Sequence, residues 1–228
     1  MKYVLQARGQ AAGQGGLQGQ GFECREMVRR IGRYVLLRAK PKVLGSNQGV
    51  VAFGAAHAFV ELKGVTPNAQ LLVVLDGVED PHNLGAIIRT AHAAGVDAVI
   101  VPERRAAPLT ETVERAAAGA MEYLPVARIT NISQTLEKLK QQGFWIYGLD
   151  ERGTEVYSKV EYSTPTVIVL GGEGKGIHQG VQKHCDVLVK IPMAGEVSSL
   201  NVSVAAGVVL FEIRRRFINE SKPAPAAP

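Results

Sequence analysis

Cysteine is nearly absent: Cys24 and Cys185 are the 2 in 228 residues, far apart and outside any CxxC or His-rich spacing. That argues against a disulfide framework and a zinc site, so no metal is expected and a reducing, cytoplasmic compartment is. Long apolar runs are missing too. None approaches the roughly 18–20 residues that span a bilayer, so no membrane association is expected. The opening Met-Lys-Tyr-Val-Leu-Gln-Ala-Arg lacks the roughly 7–15-residue apolar core of a secretory signal. Neither a P-loop (Gly-x-x-x-x-Gly-Lys-Ser/Thr) nor a dinucleotide GxGxxG after a first strand occurs, which disfavours the common nucleotide-binding α/β classes.

What is present is an uneven charge. The chain carries +5 overall, yet residues 1–68 hold 10 Lys/Arg against 3 Asp/Glu, and residues 69–228 hold 16 against 18. Arg25, Arg29, Arg30, Arg33, Arg38, Lys40 and Lys42 crowd one short stretch. A basic module beside a near-neutral one fits attachment to a polyanion; a solvated basic surface is the plainer reading.

Residues 9–21 are rich in Gly and Gln and read as a loop, residues 22–44 mix helical and strand signals, and 49–60 read as strand up to a turn at Pro67-Asn68. A domain boundary is placed after residue 68. Beyond it, apolar runs at 71–75, 96–101, 144–149, 166–170 and 187–191 alternate with helical periodicity at 83–94, 109–118, 132–141 and 199–217. Strand–helix alternation of this length means an α/β domain with a parallel sheet over 69–217. The Pro/Ala-rich end, 218–228, reads as a disordered tail.

In parallel sheets, ligands sit beyond the carboxyl ends of strands, and three such ends here carry unusual polar content. After 71–75 comes Asp76-Gly-Val-Glu-Asp-Pro-His-Asn83, then Arg89 among apolar residues. Asn83 alone is read as a helix cap, and Arg89 alone as a snorkelling surface residue. After 166–170 comes Gly171-Gly-Glu173-Gly-Lys-Gly176, whose glycines allow close backbone approach to a ligand. After 187–191 come Ser198, Ser199, Asn201 and Ser203, at the mouth of a small-residue apolar helix. One cap absorbs one such polar side chain, not four.

In this order and spacing, the stretches Asn83-Leu-Gly-Ala-Ile-Ile-Arg89-Thr-Ala, Gly171-Gly-Glu-Gly-Lys-Gly-Ile177 and Ile191-Pro-Met-Ala-Gly-Glu-Val-Ser-Ser-Leu-Asn-Val-Ser203 resemble the SpoU/TrmH family of SPOUT-class methyltransferases. The resemblance covers residues 70–216. It implies a parallel-sheet SPOUT fold with a C-terminal trefoil knot, a rare exception to unknotted topology, and a small basic α/β module at the N-terminus. It implies transfer of a methyl group from S-adenosylmethionine to a ribose 2′-hydroxyl of structured RNA by a homodimer, with the small-residue face of the last helix as the seam. By motif position, Gly171, Gly172, Ile191, Met193 and Leu200 would hold the cofactor, and Arg89, Asn83, Glu173, Ser199 and Asn201 would serve catalysis. A guanidinium with a pKa above ~12 is a poor base, so Arg89 is assigned to phosphate binding and oxyanion stabilisation.

Within the family the chain looks most like bacterial 23S rRNA guanosine 2′-O-methyltransferases, through Val197-Ser-Ser-Leu-Asn-Val-Ser-Val-Ala and Asn47-Gln-Gly-Val-Val-Ala. It departs from them in its short N-terminal module and in Asn47, where a histidine is usual. A tRNA guanosine 2′-O-methyltransferase and an inactive RNA-binding homologue are the alternatives. If the basic module binds RNA, affinity falls with added salt and on deletion of residues 1–68; filter binding at two ionic strengths measures both.

Overall fold

The computed structural model describes residues 2–5, 34–38, 50–55 and 57–220, except 173, 175 and 197. The Gly/Gln stretch at 9–21, most of the basic cluster, Cys24, Glu173 and the end of the tail lie outside the described residues. The chain divides into two units, Met1–His57 and Ala58–Pro228. The first contributes β1 (Lys2–Leu5), β2 (Tyr34–Arg38) and β3 (Val50–Ala55), an antiparallel sheet in the order β1-β3-β2.

This division precedes the expected boundary at 68. The reason is packing: Phe59, Leu62 and Val65 lie against the cores of the second unit. Val60 bridges to Ala127, donating from its N–H to the Val126 carbonyl at 3.0 Å. The charge asymmetry survives the shift, because residues 1–57 still hold 9 Lys/Arg against 2 Asp/Glu.

The second unit is built on β4 (Leu71–Asp76), β5 (Ala98–Pro102), β6 (Val126–Ile129), β7 (Trp145–Leu149), β8 (Glu155–Val156), β9 (Thr166–Gly171) and β10 (Val187–Lys190). All pair in parallel, in the order β6-β5-β4-β9-β7-β10-β8. β4 reads as an unbroken apolar run because both its faces are covered. Leu71, Val73 and Leu75 enter one core, while Leu72 and Val74 enter the other. The first core is closed by α1 (Pro81–Ala94), α2 (Glu111–Ala117) and α5 (Val202–Glu220), the second by α3 (Ile132–Gln141) and α4 (Gln179–Gln182). Each fully buried Leu or Ile contributes about 1.5–3 kcal/mol. Among the described residues, no helix is long and apolar enough to cross a membrane.

Three helices differ from expectation at their ends, and in α1 and α5 the difference bears on the site. α1 is capped by Asp80, whose carboxylate accepts the His82 N–H at 3.0 Å, with Pro81 at the first helical position. Asn83 is therefore not the cap, and its amide is left for other work. α5 begins at Val202 rather than Ser199 and continues to Glu220, so residues 218–220 are helix rather than tail. Its small residues also face inward: Ala206 is buried, and Gly207 lies close to Thr90 of α1. The expected seam is thus used within the chain. Asp80→Ala should lower stability by about 1 kcal/mol in urea unfolding, the usual cost of a lost N-cap.

Candidate active site

β4 and β9 are neighbours, with Asp76 opposite Gly171, so the loops leaving both strands start side by side. The Gly172 N–H donates to the Asp76 carbonyl at 2.8 Å, and Gly176 folds back to donate to the Gly172 carbonyl at 3.2 Å. A Cβ on Gly171 would stand 2.0 Å from the Gly176 carbonyl carbon, and one on Gly172 would stand 2.1 Å from the Gly77 oxygen. Neither position accepts a side chain without moving backbone, which is the physical content of the glycine loop.

The loop forms one wall of a cavity of about 470 Å³. Gly171, Gly172, Ile191, Met193, Leu200, Ser199 and Asn201 all line it, so the expected cofactor residues and two of the expected catalytic ones converge. Among the described residues, the backbone of 191–196 and 198–200 makes no hydrogen bond within the protein. Those amides and carbonyls must find partners in solvent or ligand.

The opposite wall was not foreseen. Asp150, just beyond β7, is 4% exposed and accepts from the Arg152 backbone N–H, from Arg152 Nε at 2.7 Å and Nη2 at 2.8 Å, and from Gln182 Nε2 at 2.8 Å. The Ile177 N–H adds a fifth donor at 3.3 Å. Burial pushes the Asp150 carboxyl up, but the Arg152 and Ile177 donors outweigh it and hold its pKa below the ordinary 3.8. The Asp-Glu-Arg-Gly run after a strand was the available signal. On the same side of the sheet, the free thiol of Cys185 is pushed up to about 12 by burial, which keeps it unreactive.

A second cavity, of about 350 Å³, shares Gly172, Gly176 and Val202 with the first. Between them, Asn201 Nδ2 donates to Asn83 Oδ1 at 3.0 Å, while Asn201 Oδ1 caps α5 by accepting the Ser203 N–H at 2.9 Å and hydroxyl at 2.6 Å. Asn83 faces the second cavity with Asp76, Arg105 and His178, three residues that sequence reasoning passed over. Arg89 is exposed on α1 and lines neither cavity. Glu173 is outside the described residues. No group of His, Cys, Asp and Glu suited to a metal occurs among the described residues.

The SpoU rRNA methylase family pattern matches residues 70–211, the span that carries both cavities. The chain belongs to this family. A 23S rRNA (guanosine-2′-O-)-methyltransferase RlmB of Pseudomonas syringae pv. tomato is 49% identical over 189 residues, 79% of this chain and 75% of that protein. The crystal structure of the SpoU methyltransferase AviRb from Streptomyces viridochromogenes in complex with AdoMet is similar with a TM-score of 0.69 at 28% identity, over 79% of this chain and 69% of that one. The A. aeolicus TrmH/SpoU tRNA modifying enzyme gives a TM-score of 0.61 at 33% identity, over 66% of this chain and 76% of that one. The family pattern begins at the strand β4 and ends within α5, so it leaves the antiparallel sheet of residues 1–57 unmatched.

Asp150 ties three segments of this family domain together. Replacing it with Ala should cost about 2–3 kcal/mol at pH 7, since a buried N–H and an amide lose their acceptor. Because its pKa is depressed, the contribution is present above pH 3.8 and is lost as pH falls through the folded-state value. Urea unfolding at pH 7 and pH 3 should therefore show a wild-type advantage over Asp150→Ala that narrows in acid.

Proposed function

We propose that the chain transfers a methyl group from S-adenosylmethionine to the ribose 2′-hydroxyl of a guanosine in 23S rRNA, in the cytoplasm. The observation that carries this reading is the larger cavity, which in a SpoU-family chain brings Gly171 and Gly172 and the unpaired backbone of 191–196 and 198–200 together beside the Asn83–Asn201 pair. The donor set suits a zwitterionic adenosyl ligand. Leu149, Leu170 and Ile191 offer apolar walls, free backbone groups suit an adenine edge, and Glu151 and Arg152 suit an ammonium and a carboxylate. When bound, S-adenosylmethionine supplies a methyl group on a sulfonium, a strong electrophile. Gly171, Gly172, Ile191, Met193 and Leu200 would form the cofactor wall, and Ser199, Asn201, Asn83 and Glu173 would serve to orient the ribose oxygen. The trefoil knot belongs to this reading. It would thread the segments 171–176 and 191–200, both of which contribute to the one cavity.

Arg89 enters from a second copy. It stands next to Thr90, the α1 residue that lies close to Gly207 of α5. The outer face of α5 exposes Val204, Phe211 and Ile218, spaced seven residues apart on one side of the helix. Such a stripe is suited to a two-fold contact with itself. In that dimer each Arg89 would meet the partner's cavity, where a permanently charged guanidinium binds phosphate and stabilises the developing alkoxide. Residues 1–57, with their excess of basic side chains, would hold the RNA. The similarity to a tRNA modifying enzyme favours tRNA as the second reading.

Labelled S-adenosylmethionine incubated with 23S rRNA and with tRNA, followed by mass mapping of 2′-O-methyl sites, tests the reaction and its substrate. Label in neither RNA overturns it. Arg89→Ala should keep cofactor affinity and lose transfer. Mixed in equal amounts with Asn83→Ala, it should regain about a quarter of wild-type activity, because half the dimers are then hybrids with one intact site each. No recovery would place Arg89 in its own chain's site or outside the reaction.

A further inference from the structure

The second cavity contains a preassembled donor that the methyl-transfer reading does not use. Arg105 Nη1 lies 2.8 Å from His178 Nε2, and His178 Nδ1 lies 2.9 Å from Asp76 Oδ2. A guanidinium can only donate, so His178 accepts at Nε2 and carries its proton on Nδ1, donating to Asp76. The His178 backbone N–H donates to the same carboxylate oxygen at 2.8 Å. Asp76 is 1% exposed, and its other oxygen is buried without a hydrogen-bond partner among the described residues. Arg105 itself sits at φ 59°, a left-handed conformation that costs a non-glycine residue free energy. Three residues distant in sequence thus fix one guanidinium at the edge of a cavity that adjoins the first.

The charge of the lining restricts what enters. Asp76, Glu79 and Asp80 face this cavity against the single cation Arg105, among the described residues. A phosphate there would meet more carboxylates than guanidinium. One oxygen of Asp76 holds His178 and the other is buried, and Asp80 caps the α1 N-terminus, so the exposed carboxylate of Glu79 is the one placed to accept from a ligand. An uncharged ligand with two adjacent donors for the Glu79 carboxylate and acceptors for the Arg105 guanidinium satisfies both groups at once. Among the RNA bases guanine alone has that pattern: N1–H beside the N2 amino group, with O6 and N7 beyond. Adenine presents an acceptor at N1, and neither pyrimidine offers two adjacent donors.

We propose that this cavity receives the guanine base of the nucleotide whose ribose is methylated, with Glu79 accepting from N1–H and N2–H and Arg105 donating to O6 and N7. Asp76 and His178 are positioning residues for Arg105. The assignment rests on the proposed function and supplies its base specificity, by the edge recognition usual for bases splayed out of single-stranded RNA.

Two measurements on the full chain test it. In the first, guanosine 5′-monophosphate, inosine 5′-monophosphate and adenosine 5′-monophosphate are titrated while the His178 imidazole NMR signal, assigned with His178→Gln, is followed. Guanosine monophosphate should shift it at the lowest concentration and adenosine monophosphate should not. In the second, methyl transfer is compared on RNA with guanosine or inosine at the mapped position. Wild type should lose about 10- to 100-fold on inosine, which lacks the N2 amino group, and Glu79→Gln should bring that ratio close to 1 with S-adenosylmethionine affinity within about twofold of wild type. A guanosine-to-inosine ratio unchanged by Glu79→Gln, or no nucleotide-dependent shift at His178, overturns the base pocket while leaving the proposed function standing. No methyl transfer by wild type to any RNA overturns the proposed function and the target role together, and the His178 titration then decides separately whether the cavity takes guanine.

Discussion

The structure turns on the pairing of β4 with β9, which sets Asp76 opposite Gly171 at the carboxyl end of the sheet. The strands are far apart in sequence, so their adjacency joins two loops that nothing local would bring together. Once joined, they touch through backbone: the Gly172 N–H is bound to the Asp76 carbonyl, and Gly172 leaves no room for a Cβ against Gly77. This contact separates the two cavities and makes Gly172 and Gly176 part of both. A side chain on Gly171 or Gly172 would push the walls apart.

Around that contact, chemistry is divided by side. The larger cavity has backbone and aliphatic walls with the charged Glu151 and Arg152 at its far edge, where Asp150 takes five donors from three residues. The smaller is lined by charge and by a fixed imidazole. Aliphatic walls suit a reaction in which a sulfonium charge disappears, while a charged lining suits discrimination among hydrogen-bonding partners.

Much of this was legible in the chain. Unbroken apolar runs located the buried strands, and helical periodicity located α1, α3 and α5, because burial on both faces or on one stripe leaves its period in the sequence. The convergence of Gly171, Ile191, Met193 and Leu200 was legible through the family resemblance of the motifs at the end of β9 and in the loop after β10. Other features were not. Asp76 acquires meaning only through His178, 102 residues away, and Asp150 needs Ile177 and Gln182, 27 and 32 residues on, besides its neighbour Arg152. Asn83 looked like a cap because it stood near a helix start, yet Asp80 followed by Pro81 fits that role better and the structure uses it. The division after His57 was not legible because Phe59, Leu62 and Val65 are too short a series to show a period.

The amide of Asn201 makes at least three hydrogen bonds at once: its oxygen takes two donors from Ser203, and its nitrogen reaches Asn83. Position 201 consequently has almost no tolerance. Aspartate would keep the cap but set an acceptor against the Asn83 oxygen. Serine would keep the cap and fall short of α1. Glutamine has the chemistry, but its extra methylene puts the amide out of reach of its own helix. A drift in sequence at this position would therefore be felt in α5, in α1 and in both cavities simultaneously.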